Sequence, residues 1–187
     1  MTQPVTPPVT PPATHDGTPT SSPHDLEVVR VPADHPDAVR LVEEVQAEYV
    51  ARYGSPDASP FDQEVFALPS GAFFVGYLDG DAVATGAWRR SPVEALGSSV
   101  TAEVKRMYVV PRAQRRGLAR RMLAHLEATA AEAGVEVLVL ETGTLQPEAI
   151  ALYTSAGYVA VPGFGHYRDS PLSRCFATDL RGRATTR

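Results

Sequence analysis

Val104-Lys105-Arg106-Met107-Tyr108-Val109-Val110-Pro111-Arg112-Ala113-Gln114-Arg115-Arg116-Gly117-Leu118-Ala119 is the stretch on which the reading of this chain turns. An apolar, β-prone run stops at Pro111, a short basic turn follows, and a helix begins among small residues. The first turn of a helix leaves four N–H groups without intrahelical partners, and its dipole presents partial positive charge. Glycine at position 117 removes the Cβ that would keep an anion's oxygens from those amides. Six arginines (Arg106, Arg112, Arg115, Arg116, Arg120 and Arg121) crowd into 16 positions here. In a chain of net charge −5, so local a patch suits a small polyanion. Gly-Leu-Ala is not a Walker loop, and the three-glycine dinucleotide fingerprint is missing.

Outward from this stretch, short β-prone runs alternate with helical patterns. Gln114–Ala133 predicts a helix with Leu118, Met122, Leu123, Leu126 and Ala130 on one stripe and Gly134 as its stop. Before it come a strand over Leu26–Val31, a helix from Pro36 to near Gly54 and a short helix around Asp62–Phe66. The runs Ala72–Leu78 and Ala82–Arg90 flank Asp79-Gly80-Asp81, a hairpin signal, and Val100–Val110 makes a long strand. After it come a strand over Val135–Leu140, a helix over Pro147–Ala156 and a closing pair, Tyr158–Val161 with Ser173–Leu180. Hairpins combined with strand-helix-strand crossovers demand an α/β (α+β mixed) architecture. Its central sheet is mixed and mostly antiparallel, with helices on both faces.

The 187 residues, 43% hydrophobic and 21% charged, suit one globular domain, expected at 26–181. Residues 1–25 read as a disordered tail. They hold seven of the 17 prolines and six threonines, and Pro4-Val5-Thr6-Pro7 recurs at once as Pro8-Val9-Thr10-Pro11. Residues 182–187 read as a second, short tail. The acidic balance argues against nucleic-acid or acidic-membrane partners, and no apolar run is long enough to span a bilayer. A single Cys175 cannot close an internal disulfide, which fits a cytoplasmic protein, and the five histidines show no paired metal-ligand spacing.

Gln114-Arg115-Arg116-Gly117-Leu118-Ala119 resembles the Gln/Arg-x-x-Gly-x-Gly/Ala signature of the GCN5-related N-acetyltransferase (GNAT) family, in which backbone amides bind the pyrophosphate of acetyl-coenzyme A. Met107-Tyr108-Val109 is similar to the family strand that pairs with the pantetheine arm. Downstream, Ala149-Ile150-Ala151-Leu152-Tyr153 followed by Ala156-Gly157-Tyr158 resembles the helix that carries the family's acid tyrosine. The resemblance runs from Leu26 to Arg181. Two departures stand out: Gln146 occupies a position that is often Asn, and Ala119 replaces the commoner final Gly.

What this resemblance implies is an acetyl-coenzyme A-dependent N-acetyltransferase, with no metal, transferring directly to an amine in a ternary complex. Cofactor contacts fall on Met107, Tyr108, Val109, Gln114, Arg115, Arg116, Gly117, Leu118, Ala119, Arg120 and Gln146. Backbone N–H near Val109 would hold the oxyanion. Glu103, on the same long strand, is a candidate base, and equally a structural ion pair with Lys105 two residues along. Glu141, at the end of the next strand, is a rival base or a substrate ligand. Tyr153 shares a helix face with Ala149 and Ile150, so it reads as a core tyrosine or, through the resemblance, as the acid for the departing thiolate. Acceptor contacts are expected from Tyr49, Tyr53, Arg89, Glu141 and His166, with a solvated strand end competing at Arg89 and an ordinary loop at His166. The acceptor is a small-molecule or protein amine, the small molecule favoured for want of an acidic extension, and the protein a monomer or homodimer. A non-catalytic acyl-coenzyme A sensor is the alternative from another class. A nucleotide-binding protein using the Arg112–Arg121 patch is a third.

Overall fold

Among the described residues, β-branched and aromatic side chains build seven strands, and three helices pack around them. The computed structural model describes residues 25–59 and 62–182. Both expected tails, apart from Asp25 and Gly182, lie outside the described residues. In chain order the elements are β1 (Glu27–Val31), α1 (Pro36–Tyr53), β2 (Gly71–Leu78), β3 (Asp81–Ser91), β4 (Thr101–Val109), α2 (Leu118–Glu132), β5 (Val137–Gly143), α3 (Pro147–Ser155), β6 (Val159–Val161) and β7 (Ser173–Asp179). The sheet order is β1-β2-β3-β4-β5-β7-β6, and only the β4–β5 pair is parallel. The expected mixed, mostly antiparallel sheet is therefore present.

Local chemistry explains the punctuation. Leu78 pairs with Asp81 across Asp79 (φ 52°) and Gly80 (φ 84°), the two positive φ values of a type I′ hairpin turn. Pro36 occupies the first turn of α1, where no N–H is needed, and Gly54 (φ 80°) ends that helix. Between them, Ala38, Leu41 and Val45 form the buried stripe. Two boundaries differ from the periodicity. Residues 64–66 form only a 3-10 turn, and α2 begins at Leu118 rather than Gln114.

The helices lie on both faces of the sheet, as expected. Phe74 of β2 meets the His125 ring of α2 edge-on, and Trp88 of β3 donates its indole N–H to Thr129 of the same helix at 3.1 Å. From the opposite face, Phe73 packs on Phe66, and Tyr77 donates to Asp37 of α1 at 3.0 Å. Met122, Leu123 and Leu126 are almost fully buried, each contributing about 2 kcal/mol through the apolar surface it removes from water. On α3, Tyr153 lies against Phe176 of β7.

Candidate active site

The parallel register between β4 and β5 is only three pairs long: Thr101–Val137, Ala102–Leu138 and Glu103–Val139. Beyond Glu103 the strands part. β4 continues to Val109 along β3, while β5 continues to Gly143 along β7. A bulge sharpens the parting. Arg106 takes a left-handed φ of 55°, and the β3 register slips between Thr85 and Ala87. In the opening lies a cavity of about 300 Å³, walled by Val104–Met107 on one side and Glu141–Gly143 on the other. Along its β4 wall, backbone amides and carbonyls that would have joined a ladder face the cavity instead, a template for an extended polar ligand.

At one end of the opening stands the basic turn. Gln114 is extended, Arg115 (φ 60°) and Gly117 (φ 78°) are left-handed, and α2 starts at once after them. This is why the helix starts four residues later than its periodicity predicts: alternating handedness turns successive N–H groups toward one concave spot. A Cβ on Gly117 would meet no protein atom within 4 Å, so the space that it leaves faces outward from the fold. Gln114 braces the turn, its amide donating to the Val109 carbonyl at 3.0 Å. Arg115 and Arg116 are exposed beside Gly117, Leu118 is buried in the core and Ala119 is half-buried. Arg120 donates to the Ser155 hydroxyl, tying α2 to α3. The turn and the open strand edge fit a pyrophosphate-bearing, extended thioester such as acetyl-coenzyme A. Its phosphates would meet Arg115–Ala119 and its arm the backbone near Met107–Val109. Met107 lines the cavity, whereas the Tyr108 side chain turns to α1, its hydroxyl 3.4 Å from Glu44.

Tyr153 and Gln146 reach the cavity from α3 and its N-terminal end, and Thr142 donates to the Gln146 side chain at 3.4 Å. Burial raises the Tyr153 phenol well above its ordinary value, with the nearby Tyr49 adding to the effect. Tyr49 and Tyr53, from the last turns of α1, line the cavity, and burial pushes the Tyr49 phenol up to about 12.

The opposite rim is a network of charges. Glu103 is buried, and its oxygens are engaged: Arg89 reaches Oε2 at 3.0 Å and Lys105 reaches Oε1 at 2.7 Å. The ion pair with Lys105 is thus present, joined by a second cation. Neither Glu103 nor Arg89 lines the cavity. Arg89 is consequently no free carboxylate ligand, because its guanidinium is engaged by Glu103. Glu141 does line the cavity. It accepts a hydrogen bond from Ser173 at 2.5 Å, and burial raises its carboxyl above the usual range against the opposing pull of Ser173 and Lys105.

His166, expected among the acceptor contacts, is exposed and does not line the cavity; its ring packs edge-on against Tyr167, which does. The Tyr167 hydroxyl accepts from the Ala58 N–H at 2.7 Å and donates to Asp57 at 3.2 Å. Asp57 in turn pairs with the buried Arg106 at 2.5 Å. Burial pushes the Asp57 carboxyl up, but hydrogen bonds from Ser59 and the Arg106 guanidinium outweigh it and hold the group below its usual range. Asp57 and Tyr167 carry no motif, and their pairing spans 110 positions, so only the fold discloses them. Among the described residues no cluster of His, Cys, Asp and Glu forms a metal-holding group, and no helix is long and apolar enough to cross a membrane.

A parted mixed sheet with a basic turn at one mouth defines an acyl-coenzyme A N-acyltransferase fold, and solved structures agree. One described as an acyl-CoA N-acyltransferase, from Klebsiella pneumoniae, superposes with a TM-score of 0.66 at 27% identity, covering 83% of this chain and 97% of that one. A Salmonella typhimurium structure, which holds its cofactor acetyl-CoA, has a TM-score of 0.59 at 19% identity, with 83% and 94% covered. The chain belongs to the acetyltransferase (GNAT) family, whose profile matches residues 39–158. It is 35% identical over 135 residues to the IAA acetyltransferase of Azospirillum brasilense, covering 72% of this chain and 85% of that protein. An uncharacterized N-acetyltransferase of Escherichia coli (strain K12) is 32% identical over 130 residues, covering 67% and 76%.

Proposed function

We propose that this protein transfers an acetyl group from acetyl-coenzyme A to the amine of an acceptor by direct attack within a ternary complex, residues 26–181 forming the catalytic unit. The observation that carries the reading is the cavity in the parted sheet, reached by Tyr153 from the α3 side and by Glu141 from the opposite rim. Acetyl-coenzyme A, when bound, supplies an activated thioester, so that an amide C–N bond forms as the C–S bond breaks.

The chain's own groups divide the remaining work. Glu141 is the base: its half-buried carboxylate has an oxygen beyond the Ser173 bond to take the amine's proton, directly or through water. Its raised pKa moves it toward neutral pH, where a base is most effective. Glu103, with both oxygens held by cations, instead positions Lys105. Backbone N–H near Val109 polarises the thioester carbonyl. Tyr153 donates to the departing sulfur. Burial keeps its phenol protonated, which is the form a donor must hold. Gln146, at the start of α3, orients the amide-rich arm through its own amide.

Release of free thiol from acetyl-coenzyme A in the presence of an amine panel tests this reading. Amine-dependent release is expected, with Tyr153→Phe lowering kcat about ten- to hundredfold while acetyl-coenzyme A affinity holds. Binding of acetyl-coenzyme A with no transfer to any amine would instead establish a sensor.

A further inference from the structure

We propose that the acceptor is a small amine that also carries a carboxylate, an amino acid, held between the Lys105 ammonium and the Glu141 carboxylate. This deepens the transfer reading and rests on it.

The balance of charge around the cavity selects such an acceptor. Asp57 and Glu141 line the cavity, Glu103 sits behind Lys105, and two of these three carboxylates are already matched within the fold. Asp57 is held by Arg106 at 2.5 Å, and Glu103 is held by Arg89 at 3.0 Å. Of the three, only Glu141 keeps an oxygen without a partner among the described residues, since Ser173 engages the other. A polyamine or a lysine-rich peptide would bring several positive charges to a site with one carboxylate to receive them. One amine is therefore what the acidic side can take.

The cationic side has the complementary surplus. Arg89 alone neutralises Glu103, yet Lys105 also reaches that carboxylate, at 2.7 Å, so the trio carries one net positive charge. Lys105 lines the cavity with its side chain only 15% exposed, and two of its three ammonium donors have no acceptor among the described residues. It is also the only lysine in a chain with 16 arginines. A compact ammonium binds a single carboxylate oxygen without the two-pronged geometry that a guanidinium imposes. An anion on the acceptor completes this arrangement as its amine completes Glu141. The two poles lie on adjacent strands where these part, Lys105 two residues beyond the last β4–β5 pair and Glu141 two residues beyond its partner. A zwitterion spans them without disturbing the net charge of the cavity.

The inference is tested by thiol release with free amino acids, each beside its own carboxamide, and with spermidine. Each carboxamide keeps the amine and the side chain and removes the negative charge. Amino acids are expected to exceed their carboxamides in kcat/KM by about 30-fold or more, with spermidine poorer still. Lys105→Met should bring that ratio within about threefold, chiefly through acceptor KM, while Lys105→Arg restores part of it. The ratio is internal to each variant, so a loss of folded protein does not mimic the result. Equal rates for acids and carboxamides, or a preference unmoved by Lys105→Met, would overturn the inference and leave the transfer reading standing. Transfer to none of these amines by protein that binds acetyl-coenzyme A would overturn the inference, and the transfer reading falls with it only where the wider amine panel also releases no thiol.

Discussion

The turn from Pro111 to Gly117 follows the end of β4 and the charged pocket lies along that strand's middle, yet the two are made by different means. The turn works through main chain. Arg115 and Gly117 are left-handed, the geometry that lets neighbouring N–H groups converge on an anion, and a Cβ on Gly117 would touch nothing of the protein. The pocket works through side chains gathered from far apart: Asp57 after α1, Lys105 and Arg106 from β4, Glu141 from β5, Tyr167 before β7. A backbone device tolerates most side chains and depends on conformation. A side-chain device tolerates conformational slack better than it tolerates a lost charge. The cofactor side should therefore respond to Cβ atoms, and the acceptor side to the removal of single charges.

Four substitutions put that contrast at risk. The largest effect is expected from Glu141→Gln, which keeps shape and removes the base. Its kcat should fall about 10²–10⁴-fold in steady-state assays while acetyl-coenzyme A binds as before. Because the base must be ionised, the wild-type rate should fall as pH drops through the Glu141 pKa, above the usual carboxylate range, and this limb should vanish in the variant. An equal rate would return the role to solvent.

Asp57→Ala comes next, since it takes the carboxylate from the buried Arg106. Thermal and denaturant unfolding should show a loss of about 3 kcal/mol at neutral pH. The folded carboxyl lies below its ordinary value, so its stabilisation is complete above the unfolded pKa of about 3.9. It is lost as pH falls through the depressed folded value, and the gap between wild type and variant should close there. A gap independent of pH would mean that packing, not charge, holds the loop.

On the backbone side the effects are smaller. Gly117→Val forces a β-branched residue into left-handed space and puts carbon where the ligand's anion belongs. The obstructed cradle predicts roughly tenfold weaker acetyl-coenzyme A binding by calorimetry, with acceptor preference intact, while the left-handed strain lowers stability by about 1–2 kcal/mol. Arg116→Gln, on an exposed side chain, should weaken binding only about two- to threefold, and less at high salt. A larger loss at Arg116 than at Gly117 would invert the contrast.

The same contrast explains what is legible in the sequence. Gln114 through Ala119 are contiguous, so the cradle can be read in one dimension, and so can the Asp79-Gly80 hairpin and the α2 stripe. Periodicity places the helix start four residues early because Gln114, Arg115 and Arg116 have ordinary helix propensity, and only the left-handed Arg115 and Gly117 reveal the turn. Glu103 and Glu141 cannot be separated along the chain. Their difference lies in Arg89, 14 positions from Glu103, and in Ser173, 32 positions from Glu141. His166 has the chemistry that attracts attention, yet its ring stays exposed, packed edge-on against Tyr167, and Tyr167 is the one fastened to Asp57.

The brevity of the β4–β5 register has a mechanical consequence. Strands β1 to β4 and strands β5 to β7 form two plates joined through three residue pairs. A molecule lying along the opening and bonded to both walls acts as a rivet, adding rungs that the polypeptide does not provide. Occupancy should then slow amide hydrogen exchange on both plates together, β7 included, although that strand does not border the opening on the β4 side. Without it, the sheet joins the plates only at those three pairs, helped by side-chain ties such as Tyr167 with Asp57.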